Sequence, residues 1–281
     1  MRKNISNTRK LVAFIFIVFC QIPYLWGADL SVTNHGKKEV FTTEMLLQHP
    51  KKINLTLESV EAYGGRKMSF LAIPTADLFV DLELNKDAVI QFTATDGFSG
   101  AIPRNRLLNT DGQGATSYVA IEDPQKPWPE LKTGKESAGP FFLVWKNPEK
   151  SSIAREEWPY KLASFEVLGT LQSEFPKIFP GNKYRKTHAI QKGFLVFQRN
   201  CFVCHTINGQ GRSQIGPDLN VPLNPTEYFR DVALRQLIRN PQSVRSWKNS
   251  RMVGFGEDAI TKKDLDNLIS YLKHMSKRKS L

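Results

Sequence analysis

Cys201 and Cys204 stand two residues apart, and His205 follows directly. A Cys-x-x-Cys pair serves several chemistries: dithiol exchange, a structural disulfide, half of a zinc site, or thioether attachment of a porphyrin. Zinc needs two more soft ligands nearby, and the one other cysteine of the chain is the distant Cys20. A thioredoxin-type dithiol belongs to a β-α-β setting that this region lacks. The immediate histidine favours the last chemistry. Each thiol adds across one vinyl group, a two-residue gap spans neighbouring pyrrole rings from one helical turn, and the next residue falls beneath the iron. The sequence therefore predicts one covalently bound haem c, held by Cys201 and Cys204, with His205 as the proximal iron ligand.

The elements around these residues are helical. The stretch 188–200 leads into the cysteine pair, and a Gly/Ser/Gln-rich loop, 208–213, follows it. Phe229, Val232, Ala233, Leu234, Leu237 and Ile238 predict one helix over 226–239, which Asn240-Pro241 ends. Leu265, Leu268, Ile269 and Leu272 form the apolar stripe of a helix over 261–275. Asp264 and Asp266 near its start and Lys273 and His274 near its end suit its dipole.

The first half reads differently. Residues 29–40 are polar and extended, and Thr42/Thr43 open a short helix that stops at His49-Pro50. The stretch 53–60 alternates apolar and polar residues, as a half-buried strand does. Further strands are predicted at 70–73, 88–95, 118–121, 141–145 and 162–168. A helix is expected after Pro74 and a turn at 96–100, and a loop around Trp128 spans 124–139. The chain is thus expected as α+β in two domains: a β-rich domain over 28–172, a linker over 173–186 with its prolines and glycine, and an all-α domain over 187–281.

At this point residues 187–276 resemble the class I cytochromes c. Gly193, Phe197, Cys201, Cys204 and His205 match the family's G-x-x-x-F-x-x-x-C-x-x-C-H, and Tyr271-Leu272 is similar to its aromatic-Leu pair on the last helix. Gly216-Pro217-Asp218-Leu219 resembles G-P-x-L, which implies that the Pro217 carbonyl accepts the Nδ1–H of His205. Met252, 47 residues past His205 and ahead of the last helix, takes the family's position for the sixth iron ligand. Val253 stands where the family often has proline, whereas Phe255 fits. His188, His274, Met275 or an open position are the alternatives to Met252. Phe255 and Trp247 are expected as haem-pocket residues beside Pro217. His/Met ligation closes the iron and raises its potential, which describes an electron carrier.

The first half resembles the molybdopterin-binding domain of the sulfite oxidase superfamily over about residues 40–170. The matching stretches are 55–79, Asp96-Gly97-Phe98-Ser99-Gly100-Ala101-Ile102-Pro103, Ala138-Gly139-Pro140-Phe141-Phe142-Leu143-Val144 and 158–168. That family binds molybdenum through a cysteine thiolate, and here Thr56-Leu57-Glu58 runs into Ser59, in a half without any cysteine. A molybdenum cofactor is accordingly not expected. Arg66, Lys67, Arg104 and Arg106 are the basic residues available to a cofactor's pyrophosphate.

Charge and the first residues bear on location. Arg2, Lys3, Arg9 and Lys10 precede an apolar run over 11–26, then Gly27 and Ala28, the pattern of an export signal over 1–27. Left uncleaved, it would be a membrane anchor. Residues 183–281 hold 18 Lys+Arg against 7 Asp+Glu, whereas 28–182 hold 17 against 20. The basic excess belongs to the second domain, where Lys273, Lys277, Arg278 and Lys279 extend it, and it steers toward acidic redox proteins of the periplasm. Nucleic acid is excluded by export and by the lack of a base-reading motif. The expected function is an exported mono-haem cytochrome that carries single electrons and is not an enzyme. The alternative is a haem- and molybdenum-dependent oxidoreductase, and a gas-binding sensor would require that Met252 leave the iron open.

Overall fold

Apolar residues alternate in strand stretches such as 53–60, run continuously over 141–145, and recur at helical spacing after residue 189, and the chain folds accordingly. The computed structural model describes residues 28–280 except 133, 135, 214 and 247–249. The export signal expected over 1–27 and the pocket residue Trp247 lie outside the described residues.

The first domain contains β1 (Asp29–Asn34), β2 (Lys37–Thr42), α1 (Thr43–Leu47), β3 (Ile53–Val60), β4 (Arg66–Pro74), β5 (Val89–Ala94), β6 (Ser99–Pro103), α2 (Arg104–Leu107), β7 (Thr116–Ile121), β8 (Phe141–Lys146) and β9 (Leu162–Val167). They form a five-stranded sheet, β2-β1-β9-β5-β6, and a four-stranded sheet, β3-β4-β7-β8. Only β1 and β9 pair in parallel, Val32 facing Phe165. Strand alternation builds two cores. Val119, Ile121, Phe141, Leu143 and Trp145 face Leu30, Ile90, Phe92 and Phe165 of the other sheet. Ala120, Phe142 and Val144, one residue out of phase, face Leu55, Phe70, Tyr63 and Leu131 on the far side.

The second domain contains α3 (Leu171–Glu174), α4 (Ala189–Asn200), α5 (Pro225–Tyr228), α6 (Asp231–Arg239), α7 (Pro241–Val244) and α8 (Lys262–Met275). α4 crosses α8 at Gly193, where a Cβ would lie 1.9 Å from the Asn267 carbonyl oxygen. Around that crossing, Phe197 and Tyr271 lie 5.2 Å apart between ring centres, and Phe194 and Tyr271 5.7 Å. The Tyr271 hydroxyl donates to the Ile178 carbonyl at 2.6 Å.

The extended stretch at 29–42 pairs as a hairpin, turned by His35 and Gly36 in the left-handed region (φ 48° and 78°). Two local expectations differ from the structure. The turn expected over 96–100 is shorter, because Ser99 and Gly100 already pair in β6 with Thr93 and Phe92. The helix expected over 226–239 is broken between Tyr228 and Asp231, since Phe229 and Arg230 are extended. The segment 173–186 joins the halves while folded onto the second: Phe175 and Ile178 are buried in the helical core.

The two halves share apolar contacts. Val89, with Ala101 packed against it, belongs to the helical core, and Val203 belongs to the core between the sheets. A Cβ on Gly100 of β6 would lie 2.8 Å from Val203 Cγ1, so that strand presses directly on the Cys201–His205 turn.

Candidate functional site

α4 ends where the site begins. Cys201 caps the helix, and its carbonyl accepts the N–H of Cys204 at 3.0 Å and of His205 at 2.9 Å. The two residues between the cysteines anchor this turn in opposite directions. Phe202 is buried in the helical core and Val203 in the core between the sheets. Both cysteines are free thiols.

His205 Nδ1 lies 2.8 Å from the Pro217 carbonyl oxygen. A carbonyl only accepts, so Nδ1 carries the hydrogen and Nε2 keeps its lone pair for a metal. Gly216 makes this approach possible, since a Cβ there would lie 2.5 Å from the imidazole Cε1 and Nδ1. Burial holds His205 below the usual imidazole range, offset in part by the Pro217 carbonyl and Asp218, so the ring is neutral at pH 7.

Asp218 organises the loop that carries Pro217. Its carboxylate accepts from Thr206 Oγ1 at 2.9 Å and from the backbone N–H of Gly209, Asn220 and Val221 at 2.7–2.8 Å. Burial alone would raise its pKa, but these hydrogen bonds outweigh it and hold the carboxyl below its usual range. Behind it runs a chain of buried amides. Asn224 Nδ2 donates to Asn220 Oδ1 at 2.9 Å, and Asn220 Nδ2 donates to Asn208 Oδ1 at 2.7 Å. The same amides add a second donor to carbonyls at the end of α8 that already accept a backbone N–H: Asn220 to that of Met275 at 2.9 Å, Asn224 to that of Leu272 at 3.1 Å. Sequence reasoning passed over Asp218 and the three asparagines, whose sole local signal is the density of Asn and Asp between 208 and 224.

The thiols are unlike those of a redox dithiol, which needs a depressed pKa. Burial, then Glu156, then Asp96 push Cys204 up to about 11. Burial, Glu156 and Cys204 raise Cys201 further still. Glu156 and Asp96 come from the first domain, and nothing in the sequence marked Glu156. It is 8 % exposed, its Oε1 has no hydrogen-bond partner among the described residues, and Arg155 Nε lies 3.6 Å away. Burial raises its pKa as well.

Met252 is half-buried and packs on the helical core, as Cys201 does. Phe255 is buried in that core and donates its N–H to the Ile238 carbonyl at 3.0 Å. The alternative ligands have other partners. Met275 is fully buried at the end of α8, His274 Nε2 donates to the Pro180 carbonyl at 2.7 Å, and His188 Nδ1 caps α4 by accepting from Ile190 N at 3.2 Å.

A cavity of about 460 Å³ opens between the domains. Ile215, which precedes Gly216-Pro217, and Arg251, which precedes Met252, line it together with Arg212. Gln91, Thr93, Asp96, Gly97 and Ser99 of the β5–β6 hairpin form its other wall. The segments carrying the Pro217 carbonyl and Met252 therefore flank one space. Two thiols, an imidazole with a free Nε2 and a thioether are the donor set that an iron porphyrin takes, and these residues fit it.

In the first domain, Ser59 is exposed on the outer strand β3, next to Gly65. Of the basic residues considered for a pyrophosphate, three have partners within the chain: Arg66 donates to the Tyr63 carbonyl at 2.8 Å, Lys67 pairs with Glu58 at 2.8 Å, and Arg106 with Glu157 at 2.7 Å. The fourth, Arg104, has a buried Nε without a partner among the described residues.

Among the described residues, no helix is long and apolar enough to cross a membrane. A comparison with curated proteins finds no match. Residues 190–276 match the family described as Cytochrome c, a span of about a third of the chain that contains both cysteines, His205, Pro217 and Met252. The chain thus ends in a cytochrome c domain, a haem-based electron carrier.

Proposed function

We propose that this protein is an exported single-haem cytochrome that passes single electrons between periplasmic redox partners through a haem ligated by His205 and Met252. When bound, haem c supplies a one-electron Fe(III)/Fe(II) couple. The chain's residues do the rest. Cys201 and Cys204 would attach the group, and the Pro217 carbonyl leaves His205 Nε2 free as an iron ligand. Met252 would supply the second protein ligand, which would raise the potential and exclude small molecules. The observation that carries the reading is the 2.8 Å bond from His205 Nδ1 to Pro217. It fixes the tautomer a proximal ligand needs, on a loop that Asp218 holds rigid.

The β-rich domain, which resembles the sulfite oxidase molybdopterin domain, serves here as a scaffold that helps to enclose the haem. The oxidoreductase alternative would need Ser59 to face a cofactor, whereas its side chain is exposed on an outer strand. Acidic partners meet a basic face that is partly neutralised within the chain. Lys273 pairs with Asp231 at 3.2 Å and Lys279 with Glu227 at 2.6 Å, which leaves Lys277, Lys262 and Lys263 as exposed charges near the ends of α8.

The test is Met252→Ala in the holo-protein. The reduced wild type is expected to leave its spectrum unchanged under carbon monoxide, while the variant binds the gas and its midpoint potential falls. An unchanged potential together with unchanged gas exclusion refutes Met252 as the ligand. Iron at one per chain is expected, and stoichiometric molybdenum beside it would favour the alternative.

A further inference from the structure

Arg155 belongs to the first domain, on the short 3-10 helix Arg155–Glu157, yet it reaches the loop that follows Met252. Its Nη2 donates to the Gly254 carbonyl at 3.1 Å, and its guanidinium lies 5.9 Å from the centre of the Phe255 ring. The arginine is itself tethered: Nη1 donates to Glu61 Oε1 at 3.0 Å, and Nε is 3.6 Å from Glu156 Oε1. From the other side the loop is bound to α6. Phe255 N donates to the Ile238 carbonyl at 3.0 Å, and Arg239 Nη1 donates to the carbonyls of Phe255 and Gly256, both at 2.9 Å. Gly254 fits between these attachments because it has no side chain, since a Cβ there would lie 2.4 Å from the Arg239 carbonyl oxygen.

Two arginines, one from each domain, therefore grip the backbone two to four residues past Met252. We propose that Arg155 is a positioning residue for Met252: the β-rich domain locks the loop that presents the thioether, and the haem's sixth ligand is thereby held from outside the cytochrome domain. This rests on the reading of Met252 as iron ligand. The thioether has to compete with any ligand that reaches the iron, and it competes only while its loop is closed. Apparent affinity for an external ligand scales with the fraction of molecules in which the loop is open. A hydrogen bond from a charged donor to a carbonyl, plus a cation facing an aromatic ring, both lie on the closed side of that equilibrium. Opening would forfeit both.

The experiment is imidazole titration of the ferric holo-protein, with the near-infrared band of Met-ligated ferric haem recorded on the same samples. The variants are Arg155→Ala, Arg155→Lys, Glu61→Gln and Met252→Ala. Arg155→Ala is expected to bind imidazole roughly tenfold more tightly, about 1.4 kcal/mol of loop opening, and to weaken the band. Arg155→Lys restores part of the difference. Glu61→Gln, which loosens the tether without touching the loop, shifts affinity the same way by less, and it carries the test should Arg155→Ala fail to load haem. Met252→Ala binds most tightly and loses the band. Wild-type affinity in both Arg155→Ala and Glu61→Gln, beside a responsive Met252→Ala, overturns the lock and leaves the ligand standing. An unresponsive Met252→Ala overturns both.

Discussion

Gly193→Ala tests the packing that holds the haem domain together. The wild-type crossing of α4 and α8 brings backbone to backbone: the added Cβ would lie 1.9 Å from Asn267 O, 2.5 Å from Asn267 C and 2.8 Å from Tyr271 Cβ. None of these atoms is the far end of a flexible side chain, so the helices themselves must part. Restoring an ordinary carbon–oxygen contact requires a shift of about 1–1.5 Å. A gap of that size forfeits a quarter to a half or more of each dispersion contact across the interface, including those of Phe194, Phe197 and Tyr271. Overpacking of a core costs about 1–3 kcal/mol, and a backbone clash places this site at the upper end. Alanine returns about 1 kcal/mol as the better helix former. A net loss of about 2 kcal/mol is expected. Guanidinium unfolding of the holo-protein, followed by haem absorbance and far-ultraviolet dichroism, would show it as a lower midpoint at unchanged slope. A midpoint equal to or above that of wild type means that propensity outweighs the clash, and the tight crossing is then wrong.

Two further substitutions probe charge. Asp218→Asn removes acceptor capacity from a carboxylate that takes hydrogen bonds from Thr206 and four backbone groups, and a loss of about 1–3 kcal/mol at pH 7 is expected. Asp218 has a depressed folded pKa, so its contribution is present above the unfolded carboxylate pKa and is lost as pH falls through the folded one. The gap between variant and wild type should therefore close in acid, and a gap independent of pH refutes the assignment. Glu156→Gln acts with the opposite sign. Its folded pKa is raised, so the native state loses stability as pH climbs from the unfolded pKa through the folded one. The glutamine variant should match wild type in acid and exceed it at pH 7. A variant less stable than wild type at pH 7 would show that Arg155 compensates the buried charge.

Local chemistry was legible in the sequence, and assembly was not. The Cys201–His205 spacing must suit a porphyrin within one turn, so it can be read without the fold. The stripe Leu265, Leu268, Ile269, Leu272 likewise records one buried helix face. β6 was hidden because Ser99 and Gly100 are poor strand formers, and its strand comes from pairing with β5, where Phe92 and Val203 leave room for glycine alone at position 100. The break after Tyr228 lies inside an apolar period that gives no sign of it, at Phe229 and Arg230, which are extended. The Asn208–Asn220–Asn224 chain reads locally as turn residues, whereas two of its amides tie this loop to the end of a helix some 50 residues away. Arg155 and Glu156 act across about 50 to 100 residues of sequence, a distance at which composition and periodicity carry no information.

The way Val203 and Cys204 lie against the sheets has a consequence for the domain taken alone. Val203 is buried in the core between the sheets with Cys204 packed beside it, while both cysteines stay partly exposed. A cytochrome segment cut free of the β-rich half would carry Val203 on its surface, and Gly100 of β6 would lose the neighbour that presses on it. The two halves are thus parts of one packed interior at this turn, and neither surface is finished without the other.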